Sequence, residues 1–203
     1  QAIVHGEQDA HYIRPKPSFV AMARRADVLI DTGLDLEMWL PTVIDKSGNS
    51  KVRSGQIGYV AVAKGLALLE KPQVVSRIEG GVHLYGNPHI TCSPVNMRVV
   101  AHNIAAGLIK NDPGGKTEYV KRRDAFIREL DVRLFGKGLV DVLGGDTLAD
   151  LAARGRLLSF LEEQTYKDKS LVDQLGGWMK QMLPLRGKPI VTYHKNWVYF
   201  VTI

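Results

Sequence analysis

The chain has 203 residues, of which 45% are hydrophobic and 24% are charged, and this composition excludes a disordered polypeptide. No apolar run approaches the roughly 20 residues that a membrane-spanning helix needs. The net charge is +6, but the basic residues are spread along the whole chain and no nucleic-acid-binding motif accompanies the densest cluster, residues 121–123. We therefore expect no nucleic-acid partner.

Short apolar segments alternate with helix-length amphipathic segments in the first third of the chain. Ala2–Val4 and Val28–Ile30 are predicted as strands. Between them, Ser18 is the predicted N-cap of a helix. A further short helix is expected over residues 36–43, interrupted by Pro41. This alternation is typical of a parallel sheet with helices on its faces, so the predicted fold class is α/β.

The middle of the chain contains the clearest helix signals. Residues 59–69 are apolar and fit either a helix or a strand, and residues 71–88 are predicted to form a loop. Ser93-Pro94 is a favourable helix start, and Asn111-Asp112-Pro113 is expected to end that helix. A longer helix is predicted to follow, with Tyr119, Phe126, Leu130 and Leu134 as its apolar stripe.

Residues 136–186 are predicted to form several small helices, with Asp146 and Ser170 as N-caps and with Leu171, Leu175, Met179 and Met182 as an apolar stripe. The segment 189–193 is predicted to be a strand that delivers His194 at its carboxyl end. The expected organisation is an amino-terminal lobe over residues 1–112, a spine helix over 113–135, and a helical insertion with the start of a carboxyl-terminal lobe over 136–203.

Three of the six histidines share a context that favours metal binding. Taken singly, His5, His83 and His102 are better explained as solvated loop or helix residues. His11, in contrast, follows a predicted strand and a polar turn, His89 precedes a helix cap, and His194 ends a strand. In parallel α/β folds, ligands bind where the carboxyl ends of strands converge. Three neutral imidazoles brought together there suit zinc or a similar divalent ion.

Three segments of the sequence together resemble the zinc- and manganese-specific substrate-binding proteins of ABC transporters. The first runs from Gly6 through His11 to Ser18 and continues with the segment 33–40 (GLDLEMWL). The second is Asn87-Pro88-His89, with Pro94-Val95-Asn96 and Asp112-Pro113 after it. The third is Val191 to Lys195, with Trp197 and Tyr199-Phe200. The three segments occur in the order that is usual in the family.

The resemblance implies a fold, a role and a ligand set. The fold would be two Rossmann-like lobes with parallel sheets, joined by a long spine helix, and the chain would be truncated at both ends. The protein would capture Zn²⁺, or less favourably Mn²⁺, through His11, His89 and His194. It would deliver the ion, as a monomer, to the permease of an ABC importer, either in the periplasm or, if lipid-anchored, at the outer face of the cytoplasmic membrane. It would not be an enzyme.

The sequence also departs from the family pattern. After His89, where the family has an aromatic residue, an aliphatic residue and an acid, this chain has Thr91, Cys92 and Ser93. The missing acid removes a hydrogen-bond partner that would orient an imidazole. Cys92 stands at the aliphatic position and is predicted to be apolar filler. The resemblance implies a carboxylate as the fourth ligand, and we expect it beyond residue 203.

Two other interpretations of the histidines stay open at this stage. A metal-dependent hydrolase would also use three histidines with an open water position, but it needs a general base, and no His-Glu-x-x-His helix is present. Asp9 and Glu7 are more simply explained as turn or cap residues. The other alternative is an adhesin-like binding module whose histidines are incidental. Removal of metal from such a module would change neither its stability nor its binding of partners.

Overall fold

The computed structural model describes residues 1–4, 6, 8–71, 85–192 and 194–203. Within these ranges the chain is rich in helices. The helices are α1 (Pro17–Arg25), α2 (Leu40–Ser47), α3 (Pro94–Asn111), α4 (Lys116–Phe135), α5 (Lys137–Leu143), α6 (Gly145–Ala153), α7 (Leu157–Glu163) and α8 (Gly177–Met182). The strands are β1 (Leu29–Asp31), β2 (Tyr59–Ala61), β3 (Thr165–Tyr166) and β4 (Lys169–Ser170). The predicted α/β class is confirmed.

The chain divides into two compact units. The first unit contains residues 1–88 and 99–121, and the second contains residues 89–98 and 122–203. The chain therefore passes between the units three times, just before His89, within α3 and within α4. The division of the chain into an amino-terminal lobe, a spine helix and a carboxyl-terminal part remains a prediction.

The first unit is built around the parallel pair β1–β2, in which Leu29 pairs with Tyr59 and Asp31 with Ala61. Helices α1 and α2 pack against each other, and their apolar faces share one core with β1. The buried members of that core are Ala23, Leu29, Trp39, Leu40, Val43, Ile44 and Val52. Helix α3 approaches β2 very closely, because a Cβ at Gly107 would lie 2.2 Å from the side chain of Val60. Only glycine permits this spacing between helix and strand.

The second unit is a helical cluster with one small antiparallel ribbon. Its core is formed mainly by leucines of α4 to α7 and of the segment between β4 and α8, with Phe135 and Leu139 fully buried. Strands β3 and β4 are joined by Lys167 and Asp168, which both have positive φ, as the tight turn of a β-hairpin requires. The several small helices predicted over residues 136–186 are confirmed, but this ribbon was not predicted.

Two predicted strands are absent from the described residues. The segment Ala2–Val4 forms no strand, and Ile3 and Val4 instead pack against the core of the first unit. Residues 189–192 also lack regular structure, and the side chain of Val191 is fully exposed. A strand is stabilised by hydrogen bonds to a neighbouring strand, and neither segment has such a neighbour among the described residues. The apolar pattern alone therefore gave the wrong secondary structure.

Several predicted helix boundaries are confirmed and others are wrong. Helix α3 starts at Pro94 and ends at Asn111, as predicted. Helix α1 is capped at Lys16 rather than Ser18, and α2 begins at Leu40, so that Pro41 lies in its first turn. Proline favours these early positions because its φ is already helical and its missing N–H would have no partner there.

The predicted caps in the second unit are also wrong. Asp146 lies inside the first turn of α6, which is capped at Gly144, and Ser170 lies in β4. The predicted stripe that ends in Met179 and Met182 therefore begins just after β4 and runs through a 3-10 turn into α8. Leu171, Leu175 and Met179 of this stripe are buried, whereas Met182 is exposed. Local cap signals cannot distinguish a cap from a neighbouring position when the helices are this short.

The apolar stripe predicted for α4 is displaced. Phe126 is exposed, whereas Ile127, Asp131, Leu134 and Phe135 are buried. These four residues recur at helical spacing, so they lie on one face. The pattern was missed because one member of the buried face, Asp131, is an acid.

Asp131 is buried because it pairs with an arginine. The guanidinium of Arg98 in α3 donates to the carboxylates of Asp131 and of Asp146, the latter on the surface of α6. The side chains of Arg98 and Asp131 are only 10% and 6% exposed. Breaking a buried ion pair typically lowers stability by about 3–5 kcal/mol, because the remaining charge stays buried without its partner.

We expect Gly145→Ala to destabilise the second unit through this ion pair. A Cβ at position 145 would lie 1.8 Å from Oδ2 of Asp131 and would displace the carboxylate from Arg98. The expected loss is about 3 kcal/mol of unfolding free energy, measured by urea denaturation followed by circular dichroism. Gly138→Ala, at an exposed position of α5 with space for a methyl group, is the matched control and should be neutral or stabilising. Equal stability of the two variants would contradict the expectation.

Candidate metal centre

Two of the three predicted ligands, His89 and His194, lie side by side in the second unit. Their ring centroids are 4.8 Å apart and the rings meet edge to face. Each histidine immediately precedes a 3-10 turn, Ile90–Cys92 in one case and Lys195–Trp197 in the other, and these two turns contact each other. The pairing therefore results from the packing of two turns that lie about one hundred residues apart in the chain.

The third predicted ligand, His11, lies in the first unit and is held by an acid. It belongs to the 3-10 turn Ala10–Tyr12, which Asp9 caps. Oδ1 of Asp9 accepts hydrogen bonds from the backbone N–H of His11 at 2.9 Å and from Nδ1 of the ring at 2.7 Å. An ionised carboxylate can only accept, so Nδ1 carries the proton and the lone pair is on Nε2. This is the tautomer in which Nε2 can bind a metal.

The turn that carries His11 is fastened to the core of the first unit by Trp39. The indole Nε1–H of Trp39 donates to the backbone carbonyl of Ala10 at 2.8 Å. Trp39 is buried and its ring packs beside Phe19. From the sequence, Trp39 was placed in a family segment and Asp9 at a turn, but neither the fastening of the turn by Trp39 nor the hydrogen bond from the His11 ring to Asp9 was predicted. The Asp-x-His spacing was the signal that could have indicated the role of Asp9.

Two other candidates considered at the sequence level, His102 and Cys92, lie in the described part of the chain. His102 is exposed on α3. Cys92 is a partly buried free cysteine, and burial raises the pKa of its thiol. A raised thiol pKa disfavours the thiolate that metals bind, in keeping with the predicted role as filler. His5 and His83 lie outside the described residues.

A cluster of acids lies at the carboxyl end of β1, close in sequence to Trp39. Tyr59 donates its hydroxyl hydrogen bond to Oδ2 of Asp31, and Oγ1 of Thr32 donates to Oε1 of Glu37 at 2.8 Å. The carboxyl groups of Asp31 and Glu37 are within hydrogen-bonding reach of each other. Oε2 of Glu37 is buried and has no donor among the described residues. Two carboxyl groups in this arrangement can share one proton.

The surroundings raise the pKa of Glu37 to about 7, first because burial disfavours its charged form, and then because of the hydrogen bond and the charge of Asp31. The pKa of Tyr59 is raised above its ordinary value for the same reasons, burial first and Asp31 second. Asp31, Glu37 and Tyr59 received no role from the sequence, because the approach of Tyr59 to the two acids depends on the pairing of β1 with β2.

Comparison with known proteins identifies the family to which the chain belongs. The sequence model described as "ZnuA: Zinc-uptake complex component A periplasmic" matches residues 1–133, well over half of the chain. The protein belongs to this family, and the resemblance seen in the sequence is confirmed.

Known relatives are named for more than one metal. The manganese ABC transporter substrate-binding lipoprotein scaA of Streptococcus gordonii is 28% identical over 133 residues, which are 64% of this chain and 40% of the relative. The high-affinity zinc uptake system protein ZnuA of Bacillus subtilis is 26% identical over 132 residues, which are 63% of this chain and 40% of the relative. The chain thus spans about two fifths of the length of these relatives.

A solved structure supports the fold. The crystal structure of a 138–173 deletion mutant of ZnuA with zinc bound is 27% identical, with a TM-score of 0.53, and the match covers 70% of this chain and 48% of the other. The family is extracytoplasmic, being described as periplasmic and including lipoproteins, which confirms the predicted location. Among the described residues, no helix is long and apolar enough to cross a membrane.

We expect Glu37 to make the stability of the first unit depend on pH. Its pKa is 4.5 in the unfolded chain and about 7 in the folded one, so between these values the folded state holds more protons. Unfolding free energy should therefore fall as pH rises from 5 to 8. Glu37→Gln, which cannot ionise, should flatten this decline and should be more stable than the wild type at pH 8. Urea midpoints at several pH values measure both effects.

The surface acid Asp27 provides a matched control, since its carboxylate is exposed and pairs with Lys51. Asp27→Asn should leave the pH profile of the wild type unchanged. A Glu37→Gln variant that declines between pH 5 and 8 as steeply as the wild type would show that another group is responsible.

Proposed function

We propose that this protein captures a divalent metal ion, preferably Zn²⁺, outside the cytoplasmic membrane and delivers it to the permease of an ABC importer, with His11, His89 and His194 as the protein ligands. The observation that carries the proposal is the packing of the His89 and His194 rings within a chain of this family. The named relatives are substrate-binding proteins of metal transporters, which supports the role of cargo carrier.

The chemistry of the proposed ligands favours a transition metal over calcium or magnesium. Neutral imidazole nitrogens bind zinc, copper, iron and nickel, whereas the hard cations prefer oxygen ligands. The hydrogen bond from His11 Nδ1 to Asp9 supports the proposal further, because it fixes the tautomer and the orientation of that ring. A ligand that is already oriented loses less conformational entropy when the ion binds.

Zinc is proposed over manganese because all three proposed protein ligands are imidazoles. Manganese prefers sites with several oxygen ligands, whereas zinc is commonly bound by a set of histidines in tetrahedral geometry. A fourth position filled by water or by a carboxylate would complete the tetrahedron. Such an exchangeable position would also allow the ion to be released to a permease. In this mechanism the metal is cargo, and none of the three histidines acts as an acid or a base.

The ligand assignment predicts that each single histidine is required. We expect the purified chain to bind about one Zn²⁺ by mass spectrometry and calorimetric titration at pH 7.5. His11→Ala, His89→Ala and His194→Ala should each weaken zinc binding by at least about 100-fold, since three-coordinate sites lose a large part of their binding free energy with one ligand. His102→Ala, which alters an exposed imidazole on α3, should bind like the wild type.

Two results would contradict this assignment. One is zinc affinity that stays at the wild-type value in all three variants. The other is full affinity at pH 4.5, where imidazoles are protonated and cannot bind metal. Titration with Mn²⁺ under the same conditions tests the choice of metal, and an Mn²⁺ affinity equal to or greater than that for Zn²⁺ would exclude zinc as the preferred cargo.

The contact between Asp9 and His11 yields a separate prediction. Asp9→Asn keeps the size of the side chain but removes the negative charge that holds Nδ1–H of the ring. Loss of such a partner typically weakens metal binding by about 10-fold to 100-fold. We expect zinc affinity to fall within that range, as measured by competition with a chelator. Asp27→Asn should have no effect, and equal affinities for the two variants would show that Asp9 only caps the turn.

A further inference from the structure

The acid cluster at the end of β1 and the turn that carries His11 are connected by a short stretch of chain. Glu37 belongs to the loop 33–39, and its backbone carbonyl accepts from the N–H of Leu40 at 2.9 Å where α2 begins. Two residues after Glu37, the indole of Trp39 donates to Ala10. A change in the position of Glu37 therefore acts directly on the residue that fastens the His11 turn.

The groups around Glu37 are mostly acidic. Asp31 faces it from β1 and Tyr59 from β2, and Asp35 of the same loop adds negative charge near Tyr59. The neighbouring cavities are also lined by Asp45 of α2, by Tyr85, and by Arg25 and Arg53, whose side chains are exposed. An exposed guanidinium is strongly screened by water and compensates little of this charge. A proton shared by the carboxyl groups of Asp31 and Glu37 compensates part of this negative charge where the two groups face each other.

We propose that Asp31 and Glu37 share one proton and that this proton acts as a pH-sensitive lock on the loop 33–39, which through Trp39 positions the His11 turn. While the proton is present, Glu37 can donate a hydrogen bond to Asp31 and the loop is held against β1. When the proton is lost, two carboxylates face each other and repel, with Oε2 of Glu37 buried and lacking a donor among the described residues. The loop then loosens, and the hydrogen bond from Trp39 to Ala10 weakens with it.

The consequence for metal capture rests on the proposed function. Zinc binding through imidazoles weakens at low pH because the rings become protonated. The lock acts in the opposite direction, since it is closed at low pH and opens as pH rises through the neutral range. Zinc affinity would therefore pass through a maximum near neutral pH, and Glu37→Gln would retain high affinity on the alkaline side.

The indole N–H of Trp39 is a direct reporter of the lock. The chain has three tryptophans, so a ¹H–¹⁵N spectrum contains three indole signals, and Trp39→Phe identifies the relevant one. In metal-free protein treated with a chelator, we expect the Trp39 signal to move between pH 5 and 8.5 with a midpoint near 7. The signals of Trp178 and Trp197 should stay constant. In Glu37→Gln, the Trp39 signal should no longer move.

Two further variants test whether the pH dependence of the Trp39 signal comes from Asp31 and Glu37. Asp31→Asn leaves Glu37 able to ionise without the carboxylate that faces it, so the midpoint should fall, and this variant serves if Glu37→Gln does not fold. His11→Asn should retain the titration. A Trp39 signal that is constant in the wild type, that still titrates in Glu37→Gln, or that stops titrating in His11→Asn would overturn the proposal. Unchanged zinc affinity in His11→Asn would refute only the proposed metal site and would leave the lock intact.

Discussion

The hydrogen bond from the indole of Trp39 to the carbonyl of Ala10 is the interaction on which the candidate site in the first unit depends. The turn that carries His11 contains only three residues, and a turn of that length has little stability of its own. Trp39 gives it a fixed point in the core formed by α1, α2 and β1. Asp9 then fixes the ring itself, so the backbone and the side chain of His11 are positioned by two separate contacts.

The three histidines occupy equivalent local positions, within or just before 3-10 turns. Such turns bring a side chain to the surface without the length of a helix, and their backbone groups are satisfied locally. The proposed function requires an ion to be bound and then released, and this arrangement suits it, because short turns can shift at a lower cost in free energy than regular helices or strands. The packing of the turns after His89 and His194 shows how two distant segments are brought together.

The second unit depends on a different constraint, the buried pair of Arg98 and Asp131. Its apolar core is made largely of leucines, which pack in many alternative ways. A buried ion pair tolerates few alternatives, since each charge needs its partner in the right place. Arg98 joins α3 to α4 and α6, and Gly145 provides the space that the carboxylate of Asp131 requires.

The sequence by itself determined the α/β class, the extent of α3 from Pro94 to Asn111, the family and the three candidate ligands, because these depend on local propensity and on short motifs. It predicted strands at Ala2–Val4 and over the described residues 189–192 wrongly, since a strand depends on a partner that local pattern does not reveal. Only the tertiary structure decided which side chains the buried acids contact. Asp31 accepts from Tyr59, and Asp131 accepts from Arg98. The partners in each pair are about thirty residues apart in the chain, and pairing over such distances is set by packing.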